Sequence, residues 1–193
     1  MQRVESGTLG GRHLLRLPNG VPGLRPTSAR VRGAVFDRLR ADVPGSRVLD
    51  LFAGSGAMSI EAISRGAERA TVVELSGKVV RHLQAQAEAL GISKQVRVVK
   101  ADAVKFLQHG AQPYDLVIID PPFAKPEVVD AIAQTLPQGW LAPGAIVVCE
   151  LELVRGKSRE VAWPATLELE ATKHYGQAEV EFLRFHPEST ASP

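Results

Sequence analysis

From Arg47 onward the chain alternates between two hydrophobic rhythms. Short apolar runs close on a glycine, a carboxylate or a proline, and each is followed by a stretch whose apolar positions recur every three or four residues. The first rhythm predicts strands at Arg47–Phe52, Ala70–Leu75, Val96–Lys100, Tyr114–Ile119 and Ala145–Leu151. The second predicts helices near Ser59–Arg65, Lys78–Leu90, Ala103–Gln108 and Pro126–Leu136. Runs such as Leu116-Val117-Ile118-Ile119 have no polar face, as central strands covered on both sides require. Strict strand–helix alternation implies an α/β fold with a mostly parallel, Rossmann-like sheet and helices on both faces. After Pro164, Thr166–Lys173 and Ala178–Phe185 alternate about Tyr175-Gly176, which predicts a C-terminal antiparallel hairpin closing the sheet.

Ahead of this repeat, Arg3–Ser6 and Arg12–Leu17 flank Gly7, Gly10 and Gly11 and read as a β-hairpin. A turn-rich segment, Pro18–Gly23, then leads to Arg25-Pro26. Thr27 or Ser28 caps a helix with apolar positions Val31, Ala34, Val35 and Leu39, leaving Arg30 and Arg32 off that stripe, toward solvent or a ligand. The expected organisation is an N-terminal hairpin and helix extension over 1–46, the main domain over 47–187, and a frayed tail over 188–193 that lacks apolar anchors.

Charge changes this picture more than bulk composition does. The net charge of the 193 residues is only +2, yet residues 1–47 hold nine arginines and no lysine against Glu5, Asp37 and Asp42, a local net of +6. Such asymmetry points to a polyanion docking on the N-terminal part, and arginine suits bidentate phosphate contacts and stacking on bases. Arg12, Arg16, Arg25, Arg30 and Arg32 are the candidate contacts to such a polyanion. Neither a signal-peptide core nor a run approaching a membrane span is visible, and Cys149, the only cysteine, lies in an apolar strand pattern as a buried small hydrophobe. A cytoplasmic monomer is expected.

In open α/β sheets ligands bind at the carboxyl ends of the strands, and four of those ends carry a polar signal. The first reads Asp50-Leu51-Phe52-Ala53-Gly54-Ser55-Gly56. It lacks the first glycine of a dinucleotide fingerprint and the Lys-Ser/Thr of a P-loop, so pyrophosphate fits poorly. Gly54 and Gly56 let the backbone approach an uncharged adenosine or a methionine moiety, and Asp50 can receive an ammonium. Glu74 closes the second strand about 24 residues later, where a carboxylate can accept both ribose hydroxyls. Asp102 follows the third strand and either takes the adenine amino hydrogens or caps the next helix.

The fourth strand delivers Asp120-Pro121-Pro122-Phe123. Two prolines hold carbonyls out of any helix or sheet ladder. With a carboxylate and an aromatic ring they form a platform that stacks a flat base and accepts hydrogen bonds from its exocyclic NH2. A dehydrogenase needs no such platform, and a kinase would need phosphate and magnesium ligands that are not found. An adenosine-bearing donor facing an amino acceptor indicates methyl transfer from S-adenosylmethionine, with no metal. Asp120 and the Pro121 carbonyl would favour a pyramidal nitrogen, and Phe123 would hold the ring. A DNA adenine or cytosine amino-methyltransferase uses the same platform, but no target-recognition domain is visible. A glutamine-modifying protein methyltransferase would call for Asn at position 120, and a non-catalytic assembly factor would not need both motifs intact.

The chain resembles the bacterial 16S rRNA guanine-N2 methyltransferase D family from near Arg3 to about Phe185. The likeness rests on Gly23-Leu24-Arg25-Pro26-Thr27 with Arg30-Val31-Arg32, on the Asp50–Gly56 motif with Glu61-Ala62 and Ser64-Arg65-Gly66-Ala67, and on Glu74, Asp102-Ala103 and Tyr114-Asp115 leading to Asp120-Pro121-Pro122-Phe123. The resemblance implies a class I methyltransferase fold and S-adenosylmethionine as donor. It also implies methylation of one guanine N2 in 16S rRNA of an assembled or assembling small subunit. The donor site would draw on Thr27, Asp50, Phe52, Ala53, Gly54, Ser55, Gly56, Glu74, Leu75, Asp102 and Ala103, and Asp120 with Phe123 would receive the guanine. Where the family's hairpin carries a more basic Gly-Lys/Arg-x-Arg-Gly pattern, this chain reads Gly7-Thr8-Leu9-Gly10-Gly11-Arg12, leaving Arg12 and Arg16 as its available cations.

Overall fold

The computed structural model describes residues 2–19, 28–122 and 127–187. Its strands are β1 (Arg47–Asp50), β2 (Arg69–Glu74), β3 (Val96–Lys100), β4 (Tyr114–Ile119), β5 (Leu141–Glu152), β6 (Leu167–Tyr175) and β7 (Ala178–Phe185). Its helices are α1 (Ala29–Arg38), α2 (Ala57–Ser64), α3 (Gly77–Leu90), α4 (Ala103–Leu107) and α5 (Val128–Thr135). All seven strands join one sheet in the order β3-β2-β1-β4-β5-β7-β6. The first five are parallel, and β7 runs antiparallel between β5 and β6.

Because side chains alternate across a strand, successive residues of the central strands enter different cores. Val48, Val72, Ile118 and Val148 pack with Val35 of α1, Ile60 and Ile63 of α2 and Leu83 of α3. Leu49, Val73, Val117, Ile119 and Cys149 pack on the other side with Leu107 of α4, Ile132 of α5 and Trp140. Cys149 is fully buried, and burial raises its thiol pKa well above the ordinary value. The expected α/β sheet with its terminal antiparallel pair is therefore the observed one.

Several boundaries shift by one or more residues, two of them for clear local reasons. β1 stops at Asp50, two residues earlier than expected, because Leu51 and Phe52 already belong to the turn into α2. β5 begins at Leu141 rather than Ala145. Exposed Pro143 and Gly144 interrupt its apolar pattern, and the ladder absorbs them as an irregularity between Tyr114 and Leu116 of β4.

The N-terminal hairpin has one bridge, Arg3 with His13, flanked by bonds from the Val4 amide to the Arg12 carbonyl, the Gly11 amide to the Val4 carbonyl and the Leu14 amide to the Gln2 carbonyl, while further main-chain donors of this segment bond to α2 and α3. The amides of Glu5 and Ser6 donate to the Glu61 carboxylate at 2.8 and 3.0 Å, that of Leu9 to the Ser64 hydroxyl at 2.9 Å, and that of Leu15 to Gln86 Oε1 at 2.5 Å. The turn lies so close to α2 that a Cβ at Gly7 would sit 1.8 Å from the Ser64 carbonyl oxygen. Val4 and Leu14 complete the docking by entering the same core as α1, α2 and α3.

Arg32 corrects the sequence expectation. It is only 1% exposed. Its Nη2 donates to the Arg3 carbonyl at 2.8 Å and to Glu5 Oε1 at 2.9 Å, and its Nε lies 3.4 Å from the fully buried Glu61 carboxylate. A guanidinium so enclosed cannot meet an RNA phosphate at the surface. It instead ties α1 to the hairpin and to α2.

Candidate active site at the strand tips

β1 pairs with β2 on one side and β4 on the other, with Asp50 in register with Val72 and Ile118. The carboxyl ends of these three strands therefore lie side by side. The turn after β1 is held from both flanks: the Leu51 amide donates to the Ile118 carbonyl at 3.1 Å and the Ala53 amide to the Val73 carbonyl at 3.1 Å. Gly54 and Gly56 adopt φ of +50° and +74°, and a Cβ at Gly56 would come 2.6 Å from Leu83 Cδ2. Glycine at 56 thus satisfies both a left-handed backbone and a close approach to α3.

Asp50 sits beneath this turn, 2% exposed, and its Oδ2 accepts a 2.6 Å bond from the Ser59 hydroxyl of α2. Burial pushes its carboxyl pKa up to about 7, opposed by the Ser59 bond and reinforced by the nearby negative charge of Asp120. The pairing of β1 with β4, Asp50 opposite Ile118, holds the tips of these strands within electrostatic reach of each other. Asp50 is therefore poised near neutrality, and a cation entering the site would favour its ionised form.

Glu74, half-buried at the tip of β2, joins two loops. Its Oε2 accepts from the Gly54 amide at 3.3 Å and its Oε1 from the Ser76 amide at 2.7 Å. Leu75 beside it is 63% exposed. An acceptor carboxylate next to an open apolar side chain is a donor set that fits a nucleoside, with hydroxyls toward Glu74 and a flat ring against Leu75. Phe52 is half-buried, while Ala53 and Ser55 are buried in the turn. The Ser55 hydroxyl accepts from the Ala57 amide at 3.4 Å. Asp102 caps α4, its Oδ1 accepting from the Lys105 amide at 3.1 Å, and Ala103 is buried in the first turn of that helix. Capping occupies one oxygen of Asp102 and leaves the other for a ligand.

Across from these, β4 ends in half-buried Asp120, buried Pro121 and exposed Pro122. Phe123, Thr27 and Arg25 lie outside the described residues. Arg16 and Arg30 are exposed, and exposed Arg12 donates to the Ala89 carbonyl at the end of α3 at 3.2 Å. Sequence reasoning missed Glu150, which follows Cys149 within β5, level with Asp120 just past the end of β4, and lines a pocket with Asp120 beneath Val31 and Val35 of α1. The available signal was the same one that marked Asp120, a carboxylate closing an apolar run. It also missed the role of Glu61, whose partners are dispersed along the sequence.

The family model described as conserved hypothetical protein 95 matches residues 2–184. Ribosomal RNA small subunit methyltransferase D of Escherichia coli strain K12 is 37% identical over 154 residues, covering 80% of this chain and 76% of that protein. The chain belongs to this family. The protein of the same name from Haemophilus influenzae is also 37% identical, over 153 residues covering 78% of each chain. A solved structure described as a putative methyltransferase from Escherichia coli superposes with a TM-score of 0.85 at 32% identity, covering 97% of this chain and 99% of that one. An RNA methyltransferase from Salinibacter ruber, solved with S-adenosyl-L-homocysteine, shares the fold at a TM-score of 0.67 and 20% identity over 87% of this chain and 98% of that one. Membership in the family gives the class I methyltransferase fold that the resemblance implied.

Proposed function

We propose that this protein transfers the methyl group of S-adenosylmethionine to the exocyclic N2 of a guanine in 16S rRNA, acting in the cytoplasm as a monomer on the small ribosomal subunit or an assembly intermediate. One observation carries the reading: the glycine turn after β1 and the Asp120-Pro121-Pro122 segment after β4 leave hydrogen-bonded neighbouring strands. Names of the relatives, which specify ribosomal RNA of the small subunit, supply the substrate class.

When bound, the donor supplies an electrophilic methyl group on a sulfonium. The chain's own part is positioning. Glu74 and Leu75 would hold the nucleoside end, Asp102 the base, and Asp50 a positive group beneath Gly54–Gly56. Asp120 and the Pro121 carbonyl accept hydrogens from the guanine amino group, drawing its lone pair out of conjugation, while Phe123 stacks on the ring. Fixing the two reactants in this way is worth several kcal/mol of the barrier without a covalent intermediate. Residues 1–46 form the RNA-facing part, with Arg12, Arg16 and Arg30 toward phosphates and Arg25 and Thr27 near the donor, and 47–187 form the catalytic part.

The test supplies purified protein and methyl-labelled donor with naked 16S rRNA, small subunits lacking the modification, and duplex DNA, followed by nuclease digestion and mass spectrometry. Label on guanine N2 of 16S rRNA is expected. Label on adenine N6 or cytosine N4 of the DNA would replace the proposal with a DNA-modifying one.

A further inference from the structure

Asp120 and the Pro121 carbonyl accept from any exocyclic NH2, so they alone do not distinguish guanine from adenine or cytosine. The neighbouring strand supplies a second acceptor. Ile119 and Cys149 are register partners in the parallel pair of β4 and β5, so Asp120 and Glu150 follow them at the same level. Their position in the alternation is that of Ile118 and Val148, which face α1 and α2. Both acidic residues line one narrow pocket of about 10 Å³, walled by Val31 and Val35 of α1, Met58 of α2 and Val180 of β7, so entry of a base edge requires α1 to shift outward.

Among the three amino-bearing bases, guanine alone presents a ring N–H beside its amino group, two donors in a row. In adenine and cytosine the ring nitrogen beside the amino group is an acceptor. A carboxylate adjacent to Asp120 completes the guanine pattern and opposes the lone pair of the other two bases. Between apolar walls little water is at hand to relieve that mismatch, the condition under which hydrogen-bond complementarity discriminates most strongly.

We propose that Glu150 is a specificity-determining residue that accepts the N1–H of the target guanine while Asp120 accepts from its N2 amino group. This rests on the guanine-N2 reading above and adds the residue that selects the base. Asp120 serves the reaction; Glu150 excludes the wrong substrates.

The experiment compares wild type, Glu150→Gln and Glu150→Asp on small subunits whose mapped target position carries guanine or 2,6-diaminopurine. The analogue keeps the N2 amino group but replaces N1–H with an acceptor. Wild type should prefer guanine by about 10- to 100-fold in kcat/KM, the range for one well-made pair of base contacts. In Glu150→Gln, whose amide can donate to the analogue's ring nitrogen, the preference should fall to near unity or invert. Glu150→Asp should be slower yet keep the guanine preference, and S-adenosylhomocysteine binding should be unchanged in both variants. A Glu150→Gln enzyme that loses activity equally on both bases, or keeps the wild-type ratio, overturns the assignment for Glu150 alone. Absence of label from both bases with wild type overturns the guanine-N2 reading and this proposal with it.

Discussion

Asp50→Asn should stabilise the ligand-free protein above neutral pH, and the gain should disappear in acid. The Asp50 carboxyl is 2% exposed and has its pKa raised from 3.8 to about 7, chiefly by burial. Folding therefore favours the protonated acid, and this group's relative stability is fully present below its unfolded pKa and lost as pH rises through about 7. At about 1.4 kcal/mol for each pH unit between the two values, keeping Asp50 ionised above pH 7 costs the folded state on the order of 4 kcal/mol. The amide of Asn retains an oxygen for the Ser59 hydroxyl but carries no charge. Its own NH2, where unpaired, would withhold about 1–3 kcal/mol of the gain, so the change with pH decides the matter rather than the absolute gap. Thermal and urea unfolding of both proteins at a series of pH values from 4 to 8 measure it. The expected gap widens from pH 4 to 7 and then levels. For a chain of this size it corresponds to a Tm difference on the order of 10 °C between the acid and alkaline ends. A gap independent of pH would refute the claim that burial of this carboxylate is what raises its pKa. Retaining a destabilising carboxylate at the centre of the sheet is the expected trade between stability and a site that must receive a cation.

Asp120→Ala should abolish methyl transfer while leaving donor affinity within a few fold by calorimetry, because its proposed contact is to the acceptor; a variant that turns over at the wild-type rate removes Asp120 from the reaction. Glu74→Ala should weaken donor binding by about 10- to 100-fold, as loss of hydrogen bonds to a charged acceptor does, and an unchanged dissociation constant would withdraw it from the ribose. Arg32→Ala should cost about 1–3 kcal/mol in urea unfolding, since it removes the bonds to the Arg3 carbonyl and Glu5 and one of two guanidinium partners of buried Glu61, which Arg65 still pairs at 2.8 Å. The salt slope of RNA binding by any folded Arg32→Ala protein should stay unaltered, whereas Arg30→Ala should lower that slope by about 1 with little change in stability. The reverse pattern would exchange the two roles.

Much of this architecture was legible because it is local. The all-apolar run Leu116–Ile119 announces a strand covered on both faces, and the Asp50–Gly56 and Asp120–Pro122 segments announce strand ends, since proline removes a ladder donor and glycine and aspartate are disfavoured in strands. Strand–helix alternation then places the tips on one edge, and the family likeness is carried by those same residues. What was not legible depends on partners far apart in sequence. Arg32 is off the apolar stripe of α1 and reads as a surface residue, but Glu5 and Glu61 lie 27 and 29 positions away on either side and reach it only in the folded chain. Glu150 likewise gains meaning only when β5 pairs beside β4 and α1, encoded some 120 residues earlier, settles over both. Asp102 shows the opposite case: the local capping alternative was visible in the sequence, and the Lys105 amide takes it.

The central claim is that the donor turn after β1 and the amino-accepting segment after β4 open into one site. The most direct measurement is a crystal structure of the protein with S-adenosylhomocysteine. The account predicts the ribose hydroxyls on Glu74, the adenine ring against Leu75, and the sulfur facing Asp120 across the tips of β1 and β4. A ligand seated away from Gly54–Gly56, or with its sulfur turned away from Asp120, would contradict it.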